Sequence, residues 1–469
     1  WISDVCSSDL QNYCNEYDRH INVRYVFPLP ADAAVVDFSA VIGGRQIKAE
    51  LMEKNSARQL IKSNQQSVML TRHKSGAFEA YLGSLAPGMS VSVKIKYLCG
   101  FSAEDNLIRI IEPTVIAPRY VSHGEQLALE SVMKEVSYKV KLDMIYRGGD
   151  VADVKSPSHT INVEVDSYGA KISLAKESKT DRDIIIDIVL QRKNRPAMYY
   201  FKNTAYYSFT PKIDFYRRAA REYIFILDTS ASMAGEKLRQ AKNALIICLK
   251  SLQAGDSFNI IAFGTMYTAF ADSPLDFSDE ALCDAKKWIS SLTAEGGTEL
   301  MRPVIIACES KKANVLLFTD GQIANFDDIL AYVQSNPGAV FYAFGIDSAV
   351  NADFLNRICA ISGGFSKLIS PAERIDEAIL RAFNRIIVPS IKNAVVTFDQ
   401  PAQSITPKVI RRIHAGQRIA IAARFGGNVP RRLTVSGEYT GISCVMEVDF
   451  ERPAKSDRKS TRLNSSHRI

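Results

Sequence analysis

The chain has 469 residues, of which 46% are hydrophobic and 23% charged, and its formal net charge is +7. Such a length holds several domains, and such a composition is ordinary for chains that bury a core. Its Lys and Arg are scattered and not interleaved with aromatics, which argues against a nucleic-acid surface; no apolar run reaches the roughly 18 residues needed to span a bilayer.

The chain begins at Trp1. Its opening WISDVCSSDL resembles a translated short-read sequencing adapter, and DRKSTRLNSSH (Asp457–His467) resembles the same adapter read on the opposite strand. Residues 1–10 and 457–469 are therefore expected to be scars outside the fold. The native polypeptide is then an internal piece whose signal peptide or anchor, if it has them, cannot be read.

Residues 11–125 read as a β domain. INVRYVFPLP, AVVDFSAVIGG, AFEAYLGSL and VSVKIKYLCG carry alternating or short apolar runs separated by turn signals. AELMEKNSARQLIKSNQQ interrupts them with helical spacing. Residues 126–215 are again strand-like, in EVSYKVKLDMIY, TINVEV, AKISLA and DIIIDIVLQ, and predict a second β unit. The texture then changes. YIFILD is a continuous apolar run, as expected of a strand covered on both faces. EKLRQAKNALIICLKSLQAG comes next, with Leu238, Ala241, Leu245, Cys248 and Leu252 stepping by three or four, and Gly255 is expected to close that helix. FNIIAFG, DEALCDAKKWISSL, MRPVIIACES, VLLFTDG, FDDILAYVQS, AVFYAFGI and NADFLNRICAIS continue the series. Alternating strands and helices over 216–390 predict a doubly wound, Rossmann-like α/β domain. Strands return in residues 391–456, with NAVVTF, RIAIAARF, RLTVSGEY and CVMEVDF. The ends of a compact domain often lie close together, so 126–215 and 391–456 are expected to share one β-sandwich around the α/β insertion. The fold class is thus multidomain, α/β flanked by all-β regions.

Cys6 lies in the adapter-like stretch. Cys14, Cys99, Cys248, Cys283, Cys308, Cys359 and Cys444 are far apart, odd in number and never in a C-x-x-C pattern. They read as free thiols of a reducing compartment and favour the cytosol. A missing leader or anchor would favour the cell surface as well. The six histidines are isolated, without metal-ligand spacing.

Ligands of a doubly wound sheet bind outside the carboxyl ends of its strands. Three loops supply polar residues there: Asp228-Thr229-Ser230-Ala231-Ser232, Gly296-Gly297-Thr298-Glu299 and Thr319-Asp320-Gly321. They offer carboxylates and hydroxyls, with no thiolate and no imidazole. An oxygen-only set suits a hard cation such as Mg²⁺ or Mn²⁺. The bland alternative for the first loop is a helix N-cap, where Ser, Thr and Asp are favoured in any protein.

D-x-S-x-S, a later G-G-T and a still later T-D-G resemble the metal-ion-dependent adhesion site of von Willebrand factor A domains. The resemblance covers roughly 220–390 and includes GID at Gly345–Asp347 and NADFL at Asn351–Leu355. It implies that Ser230, Ser232 and Thr298 are direct metal ligands, and that Asp228 and Asp320 hold metal-bound water and anchor the hydroxyls. Ala231 stands where the motif often has Gly. YVFPLP, AVVDFSAVIGGRQIKAELMEK and LGSLAPGMSVSVKIKY resemble the vault protein inter-alpha-trypsin (VIT) domain, here truncated at its N-terminus. IEPTVIAPRY resembles its closing strand, and SPSH at Ser156–His159 is similar to the segment that comes after that domain in the family. VIT joined to an A domain is the arrangement of inter-alpha-trypsin inhibitor heavy chains and their intracellular and bacterial relatives. The heavy chains' C-terminal glycosaminoglycan attachment motif does not occur in this sequence.

Catalysis needs a nucleophile and a base. No His or Lys stands at a motif position beside Ser230 or Ser232, a hydrolase's second acid is replaced by Ser230, and neither G-x-S-x-G nor a phosphate loop occurs. The expectation is a non-enzymatic protein-binding or adhesion module, in which a partner's Asp or Glu completes the metal shell. A shift of the last helix, AERIDEAILRAFNRII, accompanies such binding in the resembled family. The alternative is a metal-independent scaffold, and a more distant one a hydrolase.

Overall fold

The structure, a computed structural model, describes residues 4–30, 33–48, 69–72, 78–100, 102–104, 106–114, 139–147, 150–179, 182–191, 196–201, 203–211, 220–321, 323, 326–346, 350–369, 373, 375–407 and 409–451. The chain divides into two compact units, one of residues 1–116, 134–199 and 451–469, the other of 117–133 and 200–450.

In the first unit, strands alternate so that one face can be buried. Val91, Val93, Ile95 and Tyr97 of Ser90–Gly100 point inward between the polar Ser92, Lys94 and Lys96. That strand is central in an antiparallel sheet ordered Asp4–Cys14, Ser90–Gly100, Ala34–Ile42 and Arg45–Lys48. A second sheet of Ile21–Phe27, Phe78–Leu85 and Met69–Arg72 supplies Tyr25, Phe27, Phe78 and Ala80 to the same core. The edge strand Asp4–Cys14 runs without a break through the boundary expected at residue 10, pairing Asp4 with Gly100 and Cys14 with Ser90. The helix expected around AELMEKNSARQLIKSNQQ lies outside the described residues.

The rest of this unit holds Ser102–Glu104, Leu107–Glu112, Ile184–Leu190 and Val151–Lys155 in one sheet and Asp143–Arg147, Gly169–Leu174 and Ile161–Asp166 in another. Leu107–Glu112, whose Ile111 and Glu112 open the IEPTVIAPRY stretch expected to close the first β domain, pairs instead with Ile184–Leu190. The physical reason is a cross-strand pair. Arg109 Nε and Nη2 donate to the two Asp187 carboxylate oxygens at 2.7 and 2.6 Å, with Arg109 only 6% exposed. Around it Ile108, Ile110, Ile184, Ile186 and Ile188 enter a shared core. SPSH forms a hydroxyl-bonded turn, in which Ser158 Oγ accepts from Ile185 N and Ser156 Oγ from His159 N.

In the second unit the α/β region is built from β1 (Glu222–Asp228), α1 (Glu236–Lys250), β2 (Ser257–Phe263), β3 (Tyr267–Ala269), β4 (Leu275–Asp276), α2 (Asp279–Ser291), α3 (Met301–Glu309), β5 (Asn314–Thr319), α4 (Phe326–Ser335), β6 (Val340–Ile346), α5 (Ala352–Ser362), β7 (Ser366–Ile369) and α6 (Ile375–Ile387). The sheet order is β3-β2-β1-β5-β6-β7, with β4 also on β2. β2, β1, β5, β6 and β7 are mutually parallel, and β3 and β4 are short antiparallel edges. β1 explains why its sequence shows no alternation. Tyr223, Phe225 and Leu227 pack under α1, α2 and α6, while Ile224 and Ile226 pack under α3, α4 and α5. α1 ends at Lys250, before Gly255; Ser251 Oγ bonds Ile247 O and Asp256 Oδ2 accepts from Gln253 N, so a turn replaces the last helical turn the sequence predicted. Gly255 sits in that turn at φ +90°.

Beside this region, Val409–Ile413, Ile391–Phe398, Arg432–Tyr439 and Ile442–Asp449 form one antiparallel sheet, and Thr204–Phe209, Ile419–Phe425 and Ala402–Thr406 lie together in another. The pairing expected between the two flanking β segments occurs at Thr204–Phe209 with Ile419–Phe425. Tyr207 anchors it, fully buried against Phe398, Phe425 and Phe450, with its hydroxyl donating to Pro430 O at 2.7 Å. The strands between 143 and 190 pair with one another and with Leu107–Glu112 instead.

Candidate metal centre

The sheet order reverses at β1, whose two neighbours β2 and β5 leave in opposite directions. The carboxyl ends of β1 and β5 therefore flank the crevice where doubly wound sheets bind ligands. Asp228 ends β1 and Asp320 follows β5, both wholly buried.

The first loop is folded by its own acid. Asp228 Oδ1 accepts from Ser230 N at 2.9 Å and Oδ2 from Thr319 Oγ1 at 2.5 Å, which ties β1 to β5. Thr319 Oγ1 in turn accepts from Gly321 N at 2.9 Å. Thr229 is spent on the scaffold, its N and Oγ1 both donating to Phe263 O of β2. Ser230 is buried, Ser232 half-buried, and their hydroxyl oxygens lie 3.0 Å apart.

The N-cap alternative fails on geometry. Ser230 precedes a single 3-10 turn, Ala231–Met233, and makes no side-chain cap bond. The cap of α1 is Gly235, at φ +79°. Neither serine hydroxyl satisfies a helix terminus.

The second loop is held against the first by backbone bonds. Glu295 N donates to Thr229 O at 2.8 Å and Ala231 N to Gly296 O at 3.1 Å. Gly297 N donates to Thr265 Oγ1 at 2.7 Å, and a Cβ on Gly296 (φ +74°) would sit 2.4 Å from that oxygen. So placed, Thr298 has its Oγ1 buried with no hydrogen-bonding partner among the described residues. In the third loop Gly321 takes φ +77°, and a Cβ there would press on Asn351 at 3.1 Å. Asn351 N donates to Asp320 O, and its side chain caps α5. Asp347 of the GID stretch lies outside the described residues.

Burial pushes the Asp228 carboxyl up to about 6; hydrogen bonds from Ser230 and Thr319 pull it down, and the Asp320 carboxylate adds to the rise. Across the crevice Lys237 Nζ stands 3.7 Å from Asp320 Oδ2, with the lysine 28% exposed. The donor set is oxygen throughout, and no group of three or more His, Cys, Asp or Glu clusters among the described residues. Two buried carboxylates, two hydroxyls that cap nothing and an orphaned third hydroxyl fit a hard divalent cation.

Sequence reasoning singled out Asp228, Ser230, Ser232, Thr298 and Asp320. It missed Thr265, Thr319 as the bond between strands, and Lys237. The last had a faint signal, a basic residue in the first turn of a helix, where acids are favoured. No cysteine belongs to the three loops. Cys248 and Cys359 are fully buried, their pKa raised by desolvation, and Cys308 is pushed up to about 11. Cys14, Cys99, Cys248, Cys283, Cys308, Cys359 and Cys444 are free.

The vault protein inter-alpha-trypsin domain family matches residues 8–97. The von Willebrand factor type A domain family matches residues 221–368. Human von Willebrand factor A domain-containing protein 5A is 26% identical over 487 residues, covering 92% of this chain and 61% of its own length. A von Willebrand factor A domain-containing protein of Dictyostelium discoideum is 25% identical over 500 residues, covering 97% of this chain and 50% of its own. The chain thus spans between 50% and 61% of the length of these relatives. Among solved structures, a von Willebrand factor type A protein from Catenulispora acidiphila aligns with 67% of this chain and 74% of its own, at 13% identity and a TM-score of 0.41. Among the described residues no helix is long and apolar enough to cross a membrane.

Proposed function

The chain joins a VIT domain to a von Willebrand factor type A domain, and from that premise we propose that it is a non-enzymatic binding module. Its three loops hold Mg²⁺ or Mn²⁺, and a protein partner docks on them through an Asp or Glu carboxylate. The observation that carries this reading is a set of hydroxyls at the strand ends: Ser230 and Ser232 cap no helix, and Thr298 Oγ1 is buried without a partner among the described residues.

Ser230, Ser232 and Thr298 are the direct donors in this reading, and Asp228 and Asp320 stand behind them. When bound, the ion supplies an electrophilic position that an incoming carboxylate can take. Asp228 orients Ser230 through its N–H and is itself fixed by Thr319. Neutral hydroxyls in front and carboxylates behind leave the front of the site hungry for a negative group. Ser230 Oγ lies against the Ser232 hydroxyl and also bonds the Asp228 carboxylate, which places it between the two as a donor set and not beside a His or Lys base.

Titrating Mg²⁺ and Mn²⁺ into the full chain and into its Ser230→Ala/Ser232→Ala form, by calorimetry and thermal shift, tests the reading. The parent is expected to bind and the double variant to lose binding. Peptides bearing Asp or Glu should then bind the parent only with metal present. Equal binding by both proteins, or none by either, would hand the lead to a metal-independent scaffold.

A further inference from the structure

We propose that Lys237 is a built-in counter-ion of the site, an ammonium that must leave Asp320 before a divalent cation can settle, so that this side chain sets the metal affinity. The inference rests on the metal-binding reading above and deepens it.

Lys237 is the second residue of α1. A cation is unfavourable in a helix's first turn, where the backbone N–H groups already present positive charge. Its neighbour Glu236 follows the ordinary rule, lies exposed and pairs with Arg239. Lys237 does not point away into water. Its side chain is 28% exposed and its Nζ reaches across to Asp320 Oδ2 at 3.7 Å, a carboxylate of zero exposure on the other side of the crevice. An unfavourable position is thus combined with a specific cross-element contact.

Charge explains the contact. Asp228 and Asp320 are both wholly buried, and buried carboxylates need a compensating cation. In the metal-free protein Lys237 supplies one. A divalent cation beside Asp320 would face the ammonium as a like charge at close range, so both cannot keep the same carboxylate. The stem is flexible and partly exposed, and a compact ammonium is strongly hydrated, so Lys237 has a route back to water. An Arg would instead grip the carboxylate with a planar fork and leave less readily.

The test uses the full chain with Lys237→Met and Lys237→Gln, and reads Mg²⁺ and Mn²⁺ affinity by calorimetry beside the melting temperature without metal. Both substitutions are expected to tighten metal binding by about tenfold or more, the size of a one-unit electrostatic effect, and to lower the metal-free melting temperature. Lys237→Arg should weaken binding. Unchanged or weaker affinity in both neutral variants, with the parent binding normally and all proteins folded, overturns the inference while leaving the metal site standing. Binding by the neutral variants but not by the parent supports it in its strongest form. If none of them binds, the inference falls together with the metal reading. A melting-temperature cycle of Lys237→Met and Asp320→Asn without metal then reports whether the ion pair exists on its own.

Discussion

Asp228 is the residue on which the candidate site turns, and Thr319 is its main support from another strand. The Thr319 hydroxyl donates to Asp228 Oδ2 and accepts from Gly321 N, so Thr319→Val strips a buried carboxylate of a donor and leaves an amide unsatisfied. Groups that orient metal-binding side chains typically matter by about 10- to 100-fold in affinity. Thr319→Val is expected to weaken Mg²⁺ binding by that much, measured by calorimetry, with the fold kept. The Asp228 carboxyl predicts a pH dependence. Its folded value is raised to about 6 from 3.8. Without metal, its contribution to stability is therefore complete only below about 3.8 and is lost as pH rises through about 6. A cation must displace that proton, so Mg²⁺ affinity should be level above about pH 7 and fall by up to tenfold per unit below about pH 6. Calorimetric titrations between about pH 5 and 8 check it; a level profile down to pH 5 would show that Asp228 does not take part. The motif residues were legible in the sequence because loop chemistry at strand ends is local. Thr265 and Lys237 were not, because their roles exist only once distant loops meet.

At the scale of elements, the strand–helix alternation from Glu222 to Ile387 was legible because strands covered on both faces must be apolar throughout. Tyr267–Ala269, Leu275–Asp276 and Ala402–Thr406 were not, since short, mostly exposed strands carry no periodic signal. The loops between elements are where backbone demands are sharpest. Gly296→Ala would place a methyl 2.4 Å from Thr265 Oγ1 at a positive φ. Its expected cost is about 1–3 kcal/mol in denaturant unfolding, with metal binding lost alongside, because Thr298 lies two residues further on. His414 sits where the strand Val409–Ile413 meets the α/β region. It is 1% exposed, Nε2 lies 3.0 Å from Gly363 O, and its ring packs edge-on against Tyr342 and Phe365. Burial, reinforced by Arg385, Arg412 and Arg221, lowers its pKa to about 4, against a pull upward from Gly363 O. The unfolded chain binds this proton first. The neutral ring's contribution is therefore present above about 6.5 and lost as pH falls toward 4. The lowered value corresponds to about 3 kcal/mol. His414→Phe keeps the stacking and removes the titration, so its unfolding free energy should change less between about pH 6.5 and 4 than the parent's.

On the scale of the whole molecule, the chain is two compact units, and each carries one interaction that ought to move its own stability. In the unit holding residues 1–116 and 134–199, the bidentate Arg109–Asp187 pair bridges Leu107–Glu112 and Ile184–Leu190 across a buried face. Nothing in the sequence signals it, because the partners are 78 positions apart and each looks like an ordinary strand charge. Arg109→Met leaves Asp187, 15% exposed, without its guanidinium. Removing one partner of a buried pair typically costs about 3–5 kcal/mol, because the other charge is left uncompensated. In the unit of residues 200–450, the lever on the proposed reading is the cation itself. A ligand that binds only the folded state adds about 2.7 kcal/mol at a hundred times its dissociation constant. Differential scanning calorimetry of the full chain should therefore separate the two effects. Arg109→Met is expected to lower the transition that Mg²⁺ leaves alone, and Mg²⁺ to raise the transition that Arg109→Met leaves alone. A single transition moved by both would show that the units unfold as one, and the metal's stabilisation would then be shared by residues far from the three loops.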